Sequence, residues 1–407
     1  MKRVLCGTLA IFLCVAALGA EIADRARNEI DDYLRTAVAT TKIPGVVALV
    51  TDSEGEIYSA AFGFQNVADS VPMRADSIFR IASMTKPVTS AAVMMLVDEG
   101  KLSLDDPIEQ YLPALADRQV VVTVNEDGTY TARPAQHRIT IRHLMTHSSG
   151  LAYGFSNATL FKLTGGDFSR SAQALPLVHE PGERWTYGES TRVLGNLVEK
   201  ISGQSLDDFM EARIFEPLGM VDTSYVVAAA NNDRVVTVHR MTAEGLVEEA
   251  NSEVVSSPDN GDGGLNSTAA DYAAFIRMFL NGGVAPDGSR LLSVESVASM
   301  GQHHMGPVRV SLQKSTMPML SRDFPLGAGR DGFGLGFQVT AGDRVPDMRA
   351  PGSMSWAGIF NTEFWIDPAT GIGGVLLMQY LPFYDEDAIE TLQGFERRVY
   401  ESLAPSP

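Results

Sequence analysis

Apolar positions recur in two different periods along the chain, and the change of period marks out its elements. Residues 45–51 (GVVALVT) and 57–62 are short β-rich runs on either side of Asp52-Ser53-Glu54-Gly55, which predicts a hairpin. From Ser83 the period becomes helical, with Val88, Ala91, Ala92, Met95 and Leu96 on one stripe and Gly100 in place to end the helix. Proline is tolerated only in a helix's first turn, so Pro87 fixes the start of this helix close to Ser83. Residues 101–113 read as a loop with a short helix, and residues 119–132 alternate around Asp127-Gly128 as a second hairpin.

Further on, helical spacing covers 195–211 and 268–280, the latter with Ser267 as its cap and Asn281-Gly282-Gly283 as its end. The stretch 300–330 has no period and is rich in Met and Pro. Its length makes it a candidate substrate-cleft element or a flexible excursion. Three strands are expected at 333–339, 360–367 and 372–379, and an amphipathic helix at 386–403. Strands at both ends with helices between them predict an α/β fold of the α+β type. Its antiparallel sheet is flanked by helices, and residues 21–104 and 265–407 enclose a mostly helical insertion, 105–264.

The N-terminus changes the picture of where the chain works. Lys2 and Arg3 precede an apolar run, 4–18, and small residues lead up to Glu21, so residues 1–20 read as a signal peptide and the mature chain as periplasmic or secreted. The run is shorter than the ~20 residues of a membrane span. Both cysteines, Cys6 and Cys14, fall inside it. The remaining chain has no thiol, which excludes disulfides and thiolate catalysis. A net charge of -18 disfavours nucleic acid and anionic membranes as partners. Oligomeric state is not legible.

Chemistry concentrates at Ser83-Met84-Thr85-Lys86, an S-x-x-K pattern. Residues three apart share a helix face, so the Lys86 amine reaches the Ser83 hydroxyl. Free N–H groups at a helix start favour negative charge developing on that oxygen. An amine beside a hydroxyl can act as the base for nucleophilic catalysis. Alone, the pattern equally describes a serine cap followed by a solvated lysine; the apolar helix that follows favours the chemical reading.

Residues 78–100 (IFRIASMTKPVTSAAVMMLVDEG) resemble the active-site helix of the serine β-lactamase and penicillin-binding-protein superfamily. The resemblance extends through ITIRHLMTHSSGL (139–151), EPGERWTYGES (180–190), IFEPLGMVDTS (214–224), GGLNSTAADYAAF (263–275) and FWIDPATGIGGVLLMQ (364–379). In this order the segments are most similar to family VIII carboxylesterases, relatives of class C β-lactamases. The resemblance implies a β-lactamase/transpeptidase-like fold, with Ser83 as acyl-forming nucleophile and Lys86 as its proton partner. It places Tyr187 in the family's Tyr-x-Asn motif as general base; a phenol with an ordinary pKa of ~10 needs a neighbouring cation for that role, and Lys86 is in place to supply it.

Glu189 stands where the lactamases carry Asn, and Trp356-Ala357-Gly358 where they carry Lys-Thr-Gly. Both changes remove contacts to a lactam and favour a neutral small-molecule ester, with Glu189, Trp356, Ala357 and Gly358 as substrate-binding positions. The backbone N–H groups of Ser83 and Ile359 would form the oxyanion hole. The function expected is hydrolysis of short-chain carboxylic esters through an acyl-enzyme. β-Lactamase, D,D-peptidase or acyltransferase activity is the alternative, and a non-catalytic peptidoglycan- or lactam-binding module the reading from another class.

No G-x-S-x-G elbow, HExxH, P-loop or dinucleotide fingerprint occurs, so no cofactor or metal is implied. His143 and His147, four apart, and His303-His304 read as structural histidines.

Overall fold

The computed structural model describes residues 22–167, 170–249 and 260–403. The expected leader, residues 1–20, lies outside them. Helices pack on both faces of an eight-stranded antiparallel sheet, the arrangement expected of a β-lactamase/transpeptidase-like fold. Across the sheet the strands run Gly332–Phe333, Gln338–Val339, Met354–Gly358, Thr362–Asp367, Ile372–Leu377, Gly45–Thr51, Glu56–Asn66 and Val71–Pro72.

The strand Gly45–Thr51 is buried along its whole length because both faces are covered. Val47 and Leu49 face the helices Thr85–Asp98 and Ala269–Leu280. Val46, Ala48 and Val50 face the other way, against Asp24–Thr40 and Glu386–Leu403. The helix Asp24–Thr40 has no counterpart in the sequence reading.

Three expectations are corrected in detail. The helix over 195–211 is two helices, Ser190–Ser202 and Leu206–Met210, because Gly203 takes a left-handed φ of 73° and the Ser205 side chain accepts from the Asp208 N–H to start the second. Thr268, not Ser267, caps Ala269–Leu280, its hydroxyl accepting from the Asp271 N–H. The strand at 333–339 is a pair of two-residue strands turning through Gly334-Leu335-Gly336.

Between residues 105 and 264 lie the short helices Ile141–Met145 and Ala158–Thr164 and the pair just described. They are accompanied by the hairpin Gln119–Val124 with Tyr130–Pro134. This region is tied to the rest: Val235 bridges Ile78, Ser224 bridges Asn266, and His239–Thr242 lies parallel to Tyr380–Leu381. No helix of the described residues is long and apolar enough to cross a membrane.

Candidate active site

Ser83 sits in a single 3-10 turn, Ala82–Met84, that leads into the helix Thr85–Asp98. Pro87 occupies the third helical position, where its missing N–H costs nothing. Ala82 takes a φ of 45°, a left-handed conformation that non-glycine residues rarely adopt, directly before the serine. The turn is held from outside: the Tyr272 hydroxyl donates to the Met84 carbonyl at 2.9 Å, the Leu265 N–H to the Thr85 hydroxyl at 3.2 Å, and the Thr89 hydroxyl to the Gly261 carbonyl at 2.7 Å.

Every residue of the helix from Thr85 to Leu96 is buried, Lys86 included at 1% exposure. A buried ammonium needs partners, and Lys86 Nζ has two, donating to Ser83 Oγ at 3.1 Å and to the Asp262 backbone carbonyl. It also lies 4.9 Å from the Tyr187 ring centre and 5.3 Å from that of Tyr153.

The two tyrosines are not equivalent. The Tyr153 hydroxyl donates to the Asp262 carboxylate, and burial, followed by that carboxylate's charge, pushes its pKa far up. Its proton is therefore committed. The Tyr187 hydroxyl makes no hydrogen bond among the described residues, and Tyr187 lines the cavity beside Ser83. Arg192 approaches Asp262 at 3.4 Å and closes the network.

The cavity has a volume of about 420 Å³. Ser83, Tyr187, Trp356, Ala357 and Ile359 line it, and Phe324, Leu326 and Arg330 from the irregular 300–330 stretch build its far wall. Gly358 acts through backbone: a Cβ there would lie 2.3 Å from the Ile81 carbonyl, so glycine lets the end of Met354–Gly358 close on the turn that bears Ser83. Gly188 does the same between Tyr187 and the 151–152 segment, whose Leu151 carbonyl would sit 2.2 Å from a Cβ.

Glu189 is placed differently from expectation. It does not line the cavity; its carboxylate accepts from the Ser171 hydroxyl at 2.5 Å and lies 3.7 Å from Arg192. It starts the helix Ser190–Ser202 and secures a loop.

His147, read as structural, is 2% exposed and packs in an aromatic box, 5.0 Å from the Tyr187 ring and stacked 6.4 Å from Trp356. Burial and then the Lys86 charge hold its pKa well below the usual value, so it is neutral. His143 accepts from the Thr140 N–H at 3.2 Å in a capping box. Among the described residues no cluster could hold a metal ion.

At the cavity's far side Glu363 is buried, and burial pushes its carboxyl up to about 8 against the opposing pull of Arg349. Sequence reading missed Tyr153, Asp262 and Glu363. Tyr153, two residues beyond a quoted segment, and Asp262, one before another, carried only that proximity as a signal.

The beta-lactamase family model matches residues 30–396. The protein Rv1367c of Mycobacterium tuberculosis is 35% identical over 89% of this chain and 95% of its own. Lovastatin esterase of Penicillium rubens is 28% identical over 92% of this chain and 98% of its own. The unliganded simvastatin synthase of Aspergillus terreus superposes with a TM-score of 0.78 at 25% identity, over 93% of this chain and 98% of that one. The chain belongs to the beta-lactamase family, within the superfamily of serine β-lactamases and penicillin-binding proteins.

Proposed function

We propose that this enzyme hydrolyses short-chain carboxylic esters through an acyl-enzyme on Ser83. The observation that carries the reading is the buried Lys86 amine hydrogen-bonded to Ser83 Oγ at the wall of a cavity. In this reading Ser83 Oγ attacks the ester carbonyl and its proton passes to the Tyr187/Lys86 pair. The oxyanion rests on the backbone N–H groups of Ser83 and Ile359, both at the cavity. The alcohol leaves with that proton, and water, activated by the same pair, releases the acid.

Trp356, in place of a lactamase lysine, supplies an apolar wall suited to a neutral ester. The relative named lovastatin esterase is consistent with this chemistry. Acyl transfer to an alcohol uses the same groups. The aromatic walls of Tyr153, Phe155, Tyr187 and Trp356 around Ser83 favour it as a second reading, because they restrict water at the acyl-enzyme.

The test compares p-nitrophenyl butyrate with nitrocefin, wild type beside Ser83→Ala, with and without added butanol. Fast ester turnover, slow lactam cleavage and a butyryl mass adduct absent from Ser83→Ala are expected. Butyl butyrate formation in excess of hydrolysis would favour transfer; rapid nitrocefin cleavage with little ester turnover would overturn the esterase reading.

A further inference from the structure

The cavity that opens at Ser83 is lined as well by a second polar group, formed by Arg349, Glu363 and Glu396. Two of the three are closed on each other. Arg349 Nε and a terminal nitrogen donate to the Glu396 carboxylate at 2.9 and 2.6 Å, and the Arg349 backbone N–H adds a third bond at 2.9 Å. Glu363 is left over. It is 7% exposed and lines the cavity; its Oε1 is shut off from solvent without a hydrogen-bond partner among the described residues, and its other oxygen, also without a hydrogen bond among them, is the one the cavity can reach.

Buried polar atoms are nearly always paired, so an orphan carboxyl oxygen in a cavity wall points to a partner that arrives with the ligand. Its cross-strand neighbour is Ala357, also at the cavity, and that small side chain leaves room beside the carboxyl. The cavity wall also carries the apolar side chains of Phe383 and Leu392 beside Tyr384 and the Arg349–Glu396 pair.

Charge decides what the partner is. The Arg349 cation is already matched by Glu396, and Arg330, the other cation of the wall, by Asp331 at 2.9 Å. A ligand carboxylate would find no unmatched cation there, and a ligand ammonium would be placed beside Arg349. An uncharged hydroxyl fits, since a carboxyl can both donate to it and accept from it.

We propose that the cavity selects esters carrying an uncharged hydroxyl on the part of the molecule remote from the scissile carbonyl, with Glu363 as the hydroxyl's partner. This rests on the ester-cleaving reading of Ser83 and names its substrate class.

The experiment measures kcat/KM for matched pairs of esters with and without a terminal hydroxyl, over chain lengths of about four to ten carbons. One series varies the acyl side (p-nitrophenyl ω-hydroxyalkanoates) and one the alcohol side (ω-hydroxyalkyl butanoates). At one length in one series the hydroxyl form is preferred by about tenfold or more, as expected where a site is built to hydrogen-bond a substrate hydroxyl. Glu363→Leu brings the ratio to near one, and Glu363→Gln, which keeps the shape, lowers it by at least about threefold. Should the Leu variant fail to fold, the Gln variant carries the test.

A ratio near one at every length, a ratio unchanged by either substitution, or a stronger preference for the ω-amino ester would overturn the proposal while leaving ester cleavage intact. No turnover of any ester, with Ser83 unacylated, would sink the reading of Ser83 itself.

Discussion

The two ends of the cavity are built on opposite principles. Around Ser83 the charged groups and Tyr153 close on one another, with the Tyr187 hydroxyl left open to the cavity: Lys86 holds Ser83 and the Asp262 carbonyl, and Tyr153 and Arg192 hold the Asp262 carboxylate. At the remote end Arg349 and Glu396 are likewise closed, but Glu363 keeps an oxygen unpaired. A closed network fixes geometry, because no member can move without leaving a buried group unsatisfied. An unpaired group fixes nothing and is free to meet a ligand. Position is built at one end and choice at the other.

The largest expected effect breaks the near end outright. Ser83→Ala should lower kcat by about a millionfold, as loss of a nucleophile does elsewhere, while the melting temperature stays close to wild type; substantial residual turnover would move the chemistry off Ser83. A finer cut separates the two tyrosines. Tyr187→Phe should cost about a thousandfold in kcat as the loss of a base. Tyr153→Phe should act mainly on stability, by about 1–3 kcal/mol, because it strands a buried carboxylate oxygen of Asp262. Equal kinetic losses in the two variants would merge their roles.

Gly358→Ala probes how the strand reaches the nucleophile. The new Cβ meets the Ile81 carbonyl and must push the strand away, which should destabilise by about 1–3 kcal/mol and lower kcat more than KM. Thermal melts with steady-state kinetics check both, and unchanged values would mean the approach is looser than described.

The smallest effect belongs to the remote end. Glu363 is raised to about 8 in the fold from an ordinary 4.5, by burial against the pull of Arg349, with Glu396 and Tyr384 also nearby. Between those values the folded chain keeps a proton that the unfolded chain has released. Its contribution to stability therefore declines as pH rises through this window. The melting temperature of Glu363→Gln should rise relative to wild type between pH 5 and 8 by a few degrees. A constant difference across that range would count against a buried, protonated carboxyl.

Much of this was legible in the chain because it is written in short-range periods. The hairpin around Ser53, the helix behind Ser83 and the helix Glu386–Leu403 each follow from spacing within one segment. The Ser83–Lys86 contact is also local, three residues on one turn. What escaped notice depends on convergence. Asp262 serves Lys86 through a backbone carbonyl, which any residue type would offer, and Tyr153 is distinguished from Tyr187 by the Asp262 carboxylate that only it meets.

Glu189 misled for the same reason: its place in a motif said nothing of Ser171, which takes up its carboxylate. The two-residue strands Gly332–Phe333 and Gln338–Val339 were too short for alternation to separate them from one longer run.

The outermost strands of the large sheet are only two residues long at both margins, Gly332–Phe333 on one side and Val71–Pro72 on the other, and Pro72 has no N–H to offer. An exposed sheet margin of normal length is a template on which another chain can add a strand. Here the outermost strand at each margin spans only two residues, so neither can by itself zip up a partner.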